Sequence, residues 1–444
     1  MMKWLDERLN LSSLIGSLFE HPVPKRSSFL DYLGFATLFV FISQALTGIL
    51  LATVYKPTAA EAYTSIQAIQ ASPIGNYVRS LHSWSADFMV VLVIMHLLRV
   101  FYEGAYKRPR ELTWIAGVIL LIGTMGLAFT GYLLPWDQEG YWATTVGTAM
   151  AGFVPGIGDF LVRFLRDGSQ VTGATLTRFY SVHMLVLPAI ILLAFMPHFF
   201  FVLRQGMSST DALSEAHKRG EDVSKKSLPF WPDVALRMII VVLIVAVGIW
   251  VLAAIYPQGL GDPADALNKS HYIPEPAWYF FGVYQLLKYF PGSLDVVAMV
   301  GLPVVAMVVL FGLPWLDRNP SRSPKKRPIA LGVAAAVVIG LAFLTYQGMS
   351  SVPKPIAAAG VVAHPSYKKD IQPILQSKCV QCHETIATYS KTVEKVTPSN
   401  PGASALIKLI DGSQQPQMPV GQEPLSKDQI QTMTNWVQDG AKNN

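Results

Sequence analysis

The chain is poor in charge and nearly devoid of cysteine. Only 14% of its 444 residues are charged, against roughly a quarter in an ordinary soluble domain, which argues against a simple cytoplasmic globule. Cys379 and Cys382 are the only cysteines, which argues against a disulfide framework. Basic excess is small too: a net charge of +6 suits Lys and Arg anchored on one face of a bilayer better than the basic stripe of a nucleic-acid surface, so no nucleic-acid partner is expected. The first twenty residues lack a long apolar core, so Met1–Ser28 reads as a short amphipathic surface segment rather than a cleavable signal.

What is abundant is apolar. Hydrophobic residues make up 51%, with 22 Phe, 17 Tyr and 10 Trp, and mean hydropathy is +0.36, a membrane composition. Seven runs have the roughly 20-residue length that crosses about 30 Å of hydrocarbon: Leu33–Tyr55, Tyr77–Phe101, Leu112–Leu134, Phe179–Leu203, Val234–Tyr256, Leu294–Trp315 and Ile329–Tyr346. The N-terminal segment and the even loops hold 17 Lys and Arg, the odd loops 6. By the positive-inside rule the N-terminus is cytoplasmic, and everything after Tyr346 lies outside. Long loops within a membrane bundle point to function, and two lie on the outer side, Pro135–Arg178 and Pro257–Pro291.

Spans two and four each carry two histidines, His82 and His96, then His183 and His198. Ionisable groups at membrane depth are costly unless paired or ligating. Separations of 14 and 15 residues advance a helix by about 21–22 Å and leave both side chains within about 60° of one face. Because both spans run inward, His82 matches His183 in depth and His96 matches His198. Two stacked bis-imidazole iron sites follow; the plainer alternative is hydrogen bonding between helices. Gly34 and Gly48 on span one, and Gly117 and Gly131 on span three, repeat the 14-residue interval and offer the side-chain-free surface that a flat porphyrin needs, although glycine is common in membrane helices anyway. Arg79 and Arg178 precede the outer histidines, where a guanidinium could meet haem propionates or simply snorkel to the interface.

The stretches RSLHSWSA, KRPRELTW, TGYLLPWDQEGYWA and LTRFYSVH resemble cytochrome b of the quinol-oxidising cytochrome bc and bf complexes, and the spacing between His183 and His198 is similar to the bf branch. Residues 1–210 match its four-span haem half and 211–347 the three-span subunit IV half, followed by a linker at 348–364 and a small domain at 365–444. The resemblance implies a quinol:electron acceptor oxidoreductase in the bacterial cytoplasmic membrane, holding two haem b (His82/His183 outside, His96/His198 inside). Quinol would bind outside, between the Pro135–Thr144 region with Asp137 and the Pro274–Phe281 loop with Trp278 and Tyr279. One electron would pass to a Rieske iron–sulfur protein, the other through the haems to quinone near Arg204 and the N-terminal segment, moving protons across the membrane. Partners implied are lipid, quinol and quinone, the Rieske protein, other subunits, an electron acceptor and a second copy of the core.

Two departures stand out. Where the family has Pro-Glu-Trp-Tyr, this chain reads Pro274-Glu275-Pro276-Ala277-Trp278-Tyr279. Glu275 is the candidate for the proton-accepting role, with a solvated loop charge as the alternative. The bf branch also attaches an extra haem through a cysteine in span one; Tyr32 holds that position, so that haem is expected to be absent.

Cys379-Val380-Gln381-Cys382-His383 has the spacing of c-type haem attachment, with two thioethers and His383 as axial ligand; zinc or a reactive thiol pair would use the same residues. Met418 is the candidate sixth ligand, with Met433 as rival. Ser426–Gly440 is amphipathic, with Ile430, Met433, Trp436 and Val437 on one face. This tail resembles a small class I cytochrome c carrying one covalent haem c, standing in for cytochrome f or c1.

The expected fold is an all-α membrane protein of seven transmembrane helices with a four-helix haem-binding bundle, plus a small all-α cytochrome c domain. Two other functions fit the cofactors: a quinol dehydrogenase that feeds a dedicated partner enzyme without a Rieske protein, and a haem-bearing scaffold without quinone turnover.

Overall fold

Hydrocarbon offers backbone N–H and C=O groups no water, so an apolar segment that crosses it must satisfy them internally, as a helix. The computed structural model describes residues 6–8, 23–25, 28–206, 216, 219–222, 227–266, 276–290, 292–350, 360–380, 383, 385–419 and 425–444. Seven helices among them are long and apolar enough to cross a membrane: Phe29–Ala52, Pro73–Tyr102, Glu111–Tyr132, Gly173–Gln205, Phe230–Ile255, Val297–Leu316 and Pro328–Ser350.

Their ends differ from the hydropathy runs because helices continue past the hydrocarbon wherever a cap is available. Span two starts at Pro73, with Ser72 as N-cap accepting from Gly75 N. Span four starts at Gly173, six residues before the apolar run, behind Thr172 and its capping box with Thr175. Span one ends at Ala52 rather than Tyr55.

The chain divides into two compact units. The first comprises Met1–Ala264 and Pro276–Tyr346; the second is chiefly Gln347–Asn444. In the first, α1 (Leu33–Ala52) is followed by the surface helix α2 (Ala62–Ala71), α3 (Pro73–Tyr102) and α4 (Glu111–Tyr132). The outer loop then folds into α5 (Gln138–Ala149) and α6 (Gly158–Arg166) before α7 (Gly173–Gln205). α7 carries a π-helical turn at Val182–Val186, closed by Leu187 N bonding Val182 O.

α1 packs along α3, and α4 along α7, which makes the four-helix bundle. α8 (Ala235–Ile255) lies against α1 and α3, and α10 (Leu302–Leu316) against α4. The short α9 (Phe281–Leu287) touches α11 (Pro328–Ser350): a Cβ on Gly282 would lie 2.9 Å from Thr345 Oγ1. The segments expected as separate halves, 1–210 and 211–347, therefore pack as one body. A two-stranded antiparallel pair links Val23–Pro24 to Ser227–Leu228.

The loops of this unit gather at two ends of the bundle. At one end Arg79 donates to Gln258 O and Gly259 O, Tyr63 to Gly261 O and Tyr55 to Leu134 O. At the other, the Lys107 ammonium lies 2.8 Å and the Arg327 guanidinium 3.6 Å from Asp317 Oδ2, which also accepts from the Tyr106 hydroxyl. Most of the 348–364 linker and most of Met1–Ser28 lie outside the described residues.

The second unit is helical. A π turn at Tyr367–Ile371 leads into α12 (Gln372–Lys378), followed by α13 (Tyr389–Val393), α14 (Ala405–Ile410) and α15 (Lys427–Gln438). Ser426 caps α15 in a capping box with Gln429. The first and last elements meet at Tyr367 and Trp436, whose rings are 5.5 Å apart over a core of Leu375, Ile410 and Met433.

Candidate functional site

The four intramembrane histidines project from α3 and α7 toward α1 and α4, and each ring faces a glycine. A Cβ on Gly48 would lie 3.3 Å from His82 Cε1, on Gly131 2.7 Å from His183, on Gly34 3.2 Å from His96 and on Gly117 3.3 Å from His198. All four glycines therefore clear space for the imidazole rings themselves rather than for a porphyrin face alone.

Neighbouring backbone and hydroxyl groups fix the tautomers. His198 Nδ1–H donates to Thr113 O at 2.9 Å, and His183 Nδ1–H to Leu127 O at 3.1 Å. His82 Nδ1–H donates to Thr47 Oγ1 at 2.9 Å; that hydroxyl spends its own proton on Ser43 O, so its oxygen is the acceptor. Thr130 Oγ1, which donates to Gly126 O, stands in the same relation to His183 Nδ1 at 3.1 Å. With Nδ1 protonated, Nε2 keeps the lone pair that a metal takes. Among the described residues no protein group bonds any of the four Nε2 atoms, and buried His96 Nδ1 has no partner.

The rings of His82 and His183 have their centres 6.4 Å apart at 70°. Both rings would be able to ligate one ion between them, each through its unbonded Nε2. At the deeper level His96, His198, Gly34 and Gly117 line one cavity with Arg99 and Arg110. Arg99 is paired with Asp31 at 2.6 Å. Arg110 donates to Gln205 O and Gly206 O, and burial, with Arg322 and Arg99 nearby, lowers its pKa to about 10. The donors fit an iron-bearing group at each of two depths, and at the deeper one they line a cavity.

The outer loops converge on Phe129 of α4. Its ring meets Phe280 at 6.5 Å and Phe179 at 5.8 Å, and a Cβ on Gly147 of α5 would lie 2.5 Å from it. Tyr279 packs between Trp278 and Phe280, at 5.3 and 4.8 Å, and burial followed by the nearby Asp87 raises its hydroxyl pKa. Trp278 Nε1 donates to Asp87 Oδ1 at 2.8 Å. Asp137 is the buried N-cap of α5, accepting from Gly140 N at 2.9 Å and Gly261 N at 3.4 Å; burial raises its pKa despite those bonds.

The remaining expected residues sit as follows. Arg79 is taken up by two carbonyls, Arg178 is paired with Asp167 at 2.6 Å, and Arg204 is exposed in the last turn of α7. Glu275 and Cys382 lie outside the described residues. Cys379 follows α12 and accepts His383 N at its carbonyl; His383 is exposed and Met418 half-buried, whereas Met433 is fully buried. Thr47, Thr113, Thr130, Asp87 and Phe129 were missed from sequence. The Thr-Gly pairs 47–48 and 130–131 and the mid-span acid at 87 were signals for three of them.

Comparison with known proteins is consistent with this geometry. The family model described as Cytochrome b/b6/petB matches residues 18–206, and that described as Cytochrome b(C-terminal)/b6/petD matches 263–367. The cytochrome b subunit of the cytochrome bc complex of Chlorobaculum thiosulfatiphilum is 36% identical over 78% of this chain and 79% of its own length. Cytochrome b of Rhodobacter capsulatus is 31% identical over 81% and 87%, and cytochrome b6 of Heliomicrobium gestii 44% over 47% and 99%. A solved chain described as hyperthermophilic respiratory Complex III superposes with a TM-score of 0.70 at 28% identity, over 79% of this chain and 91% of that one. The chain thus belongs to the cytochrome b family of bc and b6 complexes, membrane proteins that hold two b haems between histidines.

Proposed function

We propose that this chain is the quinol-oxidising core of a bc-type complex and carries its own c-type electron acceptor at the C-terminus. The observation that carries the reading is the opposition of His82 and His183, 6.4 Å between ring centres and both backed by glycine, repeated about four helical turns deeper by His96 and His198. When bound, two b haems supply one-electron centres at two depths. The chain's own residues would hold those centres, His82 with His183 and His96 with His198; the Nδ1 protons of His82, His183 and His198 are held by Thr47, by Thr130 and Leu127 O, and by Thr113 O.

Quinol is oxidised at the outer end, where Trp278, Tyr279 and Phe280 face α5 across Phe129 and exclude water. Oxidation of one quinol releases two electrons and two protons. One electron goes to a separate Rieske iron–sulfur protein, the other through the bundle to quinone at the Lys/Arg-rich end, near Arg204. Protons leave on one side and are taken up on the other, so turnover translocates charge. Arg79 and Arg178, now on protein oxygens, are placed to exchange those partners for propionates.

In the C-terminal unit, Cys379 and Cys382 would hold a haem covalently, with His383 and Met418 as the residues that would bind its iron. The Lys/Arg count supports an outer location for this unit at a bacterial cytoplasmic membrane, in a complex built on two copies of the core. The test is a pyridine haemochrome assay with a haem-stained denaturing gel and quinol-driven reduction of the b haems. Two b haems to one c haem, the stain on a 48.8 kDa chain and an iron–sulfur signal rereduced by quinol are expected. A b-only spectrum overturns the C-terminal assignment, and quinol oxidation without an iron–sulfur signal overturns the Rieske step.

A further inference from the structure

We infer that Asp87 is the proton acceptor for quinol at the outer site, an assignment that rests on the quinol-oxidising reading above. Among the seven spans, the other carboxylates sit within four residues of a helix start: Asp31, Glu111 and Asp233. Asp87 alone lies in the middle of one, 14 residues after Pro73 and 15 before Tyr102. A carboxylate at that depth is costly and marks a functional position.

The surroundings of Asp87 suit a base. Oδ1 accepts from Trp278 Nε1 at 2.8 Å, a donor that favours the ionised form. Oδ2 has no donor among the described residues, so one acceptor oxygen is left for a ligand hydroxyl. The titratable group facing it is the Tyr279 phenol. Five residues after His82, Asp87 is about 7.5 Å deeper and turned about 140° away from that imidazole, toward Trp278, which bonds it. The loop itself presents only the Ala277 methyl between Pro276 and Trp278, so the span supplies the acid that the loop lacks at that place.

The step balances as a proton transfer. A quinol O–H bond breaks, its electron pair stays on the quinol oxygen, and the proton bonds to Asp87 Oδ2. A quinolate anion faces a neutral acid; as its two electrons leave to the one-electron acceptors of the reaction, the second O–H bond breaks and that proton passes to water on the outer side, leaving neutral quinone. Tyr279 and Trp278 act as positioning residues.

The experiment compares the intact complex carrying wild-type chain, Asp87→Asn, Asp87→Glu or Glu275→Gln, measuring quinol oxidation from pH 5 to 9 alongside the b-haem spectrum. Asp87→Asn is expected to slow quinol oxidation by about a hundredfold and to abolish the rise of rate with pH, with both b haems retained; Asp87→Glu restores most of the rate. Should the Asn variant lose haem, Asp87→Ser is read by the same criteria. An Asn variant with wild-type rate and pH profile, or loss of the acid limb in Glu275→Gln instead, overturns the assignment while leaving quinol oxidation intact. A wild-type complex that does not oxidise quinol removes both.

Discussion

A methyl carbon on Gly131 would lie 2.7 Å from Cε1 of His183, closer than real side chains approach. The ring is tied to Leu127 O on the same helix as Gly131, so it cannot retreat from the glycine without losing its tautomer lock. Gly131→Ala is expected to displace His183 and drop the b-haem content toward one per chain. Gly34→Ala, Gly48→Ala and Gly117→Ala, at 3.2–3.3 Å, need a shift of only a few tenths of an ångström and should keep both haems. Haem-to-protein ratios decide; equal losses at all four positions would contradict this ordering.

Thr47 and Thr130 accept the Nδ1 protons of the outer pair. That bond makes imidazole a stronger electron donor and favours ferric iron. Removing it in Thr47→Val or Thr130→Val, at a cost of about 1 kcal/mol, should raise the outer haem's midpoint potential by roughly 40 mV in a one-electron couple. The inner haem should not move in the same redox titration.

Asp317 joins the loop after span six to Lys107 and Arg327, both buried. Burial pushes its carboxyl pKa up, but the bonds from Lys107 and Tyr106 more than offset this and hold it below the ordinary range. A depressed carboxylate contributes stability above its unfolded pKa of about 3.9 and loses it as pH falls through the folded value. Thermal unfolding of the solubilised complex should therefore show an acid-sensitive component below about pH 4 that is absent in Asp317→Asn. That variant should also lose about 3–5 kcal/mol at neutral pH, because Lys107 and Arg327 stay buried without their counter-charge.

In the C-terminal unit, Cys379→Ser with Cys382→Ser should leave the chain unstained for haem on a denaturing gel. Met418→Ala should abolish the far-red absorption that methionine sulfur gives on ferric haem. Met433 belongs to the buried core, so Met433→Leu should keep that band and cost less than about 1.5 kcal/mol. Loss of the band in Met433→Leu alone would exchange the two assignments.

Much of the bundle was legible because helix geometry converts sequence spacing into position without further information. His82 and His96 on one helix, and Gly34 and Gly48 on another, needed only the rise per residue. The identity of the atoms that face each other did not follow: that Thr47 meets His82, or Leu127 O meets His183, depends on how two helices are rotated against each other. Asp137 illustrates the same limit. Its acidity beside Trp136 invited a chemical role, whereas its carboxylate is occupied in capping α5 and in tying residue 261 to that helix. Asp87 was visible as a mid-span acid, yet its meaning came only from the tryptophan that reaches it across 191 residues of chain.

The π turn at Val182–Val186 explains an arithmetical mismatch between the two ligand helices. His82 and His96 are 14 residues apart, His183 and His198 15, and on ideal helices the extra residue would rotate the second pair by about 100°. A π turn absorbs one residue with almost no net change of phase, and this one starts beside His183 and ends before His198. The two spacings are thus the same spacing, one of them carrying an insertion that the helix has swallowed. A deletion within the turn should restore an uninterrupted α-helix and leave both imidazoles on the same face.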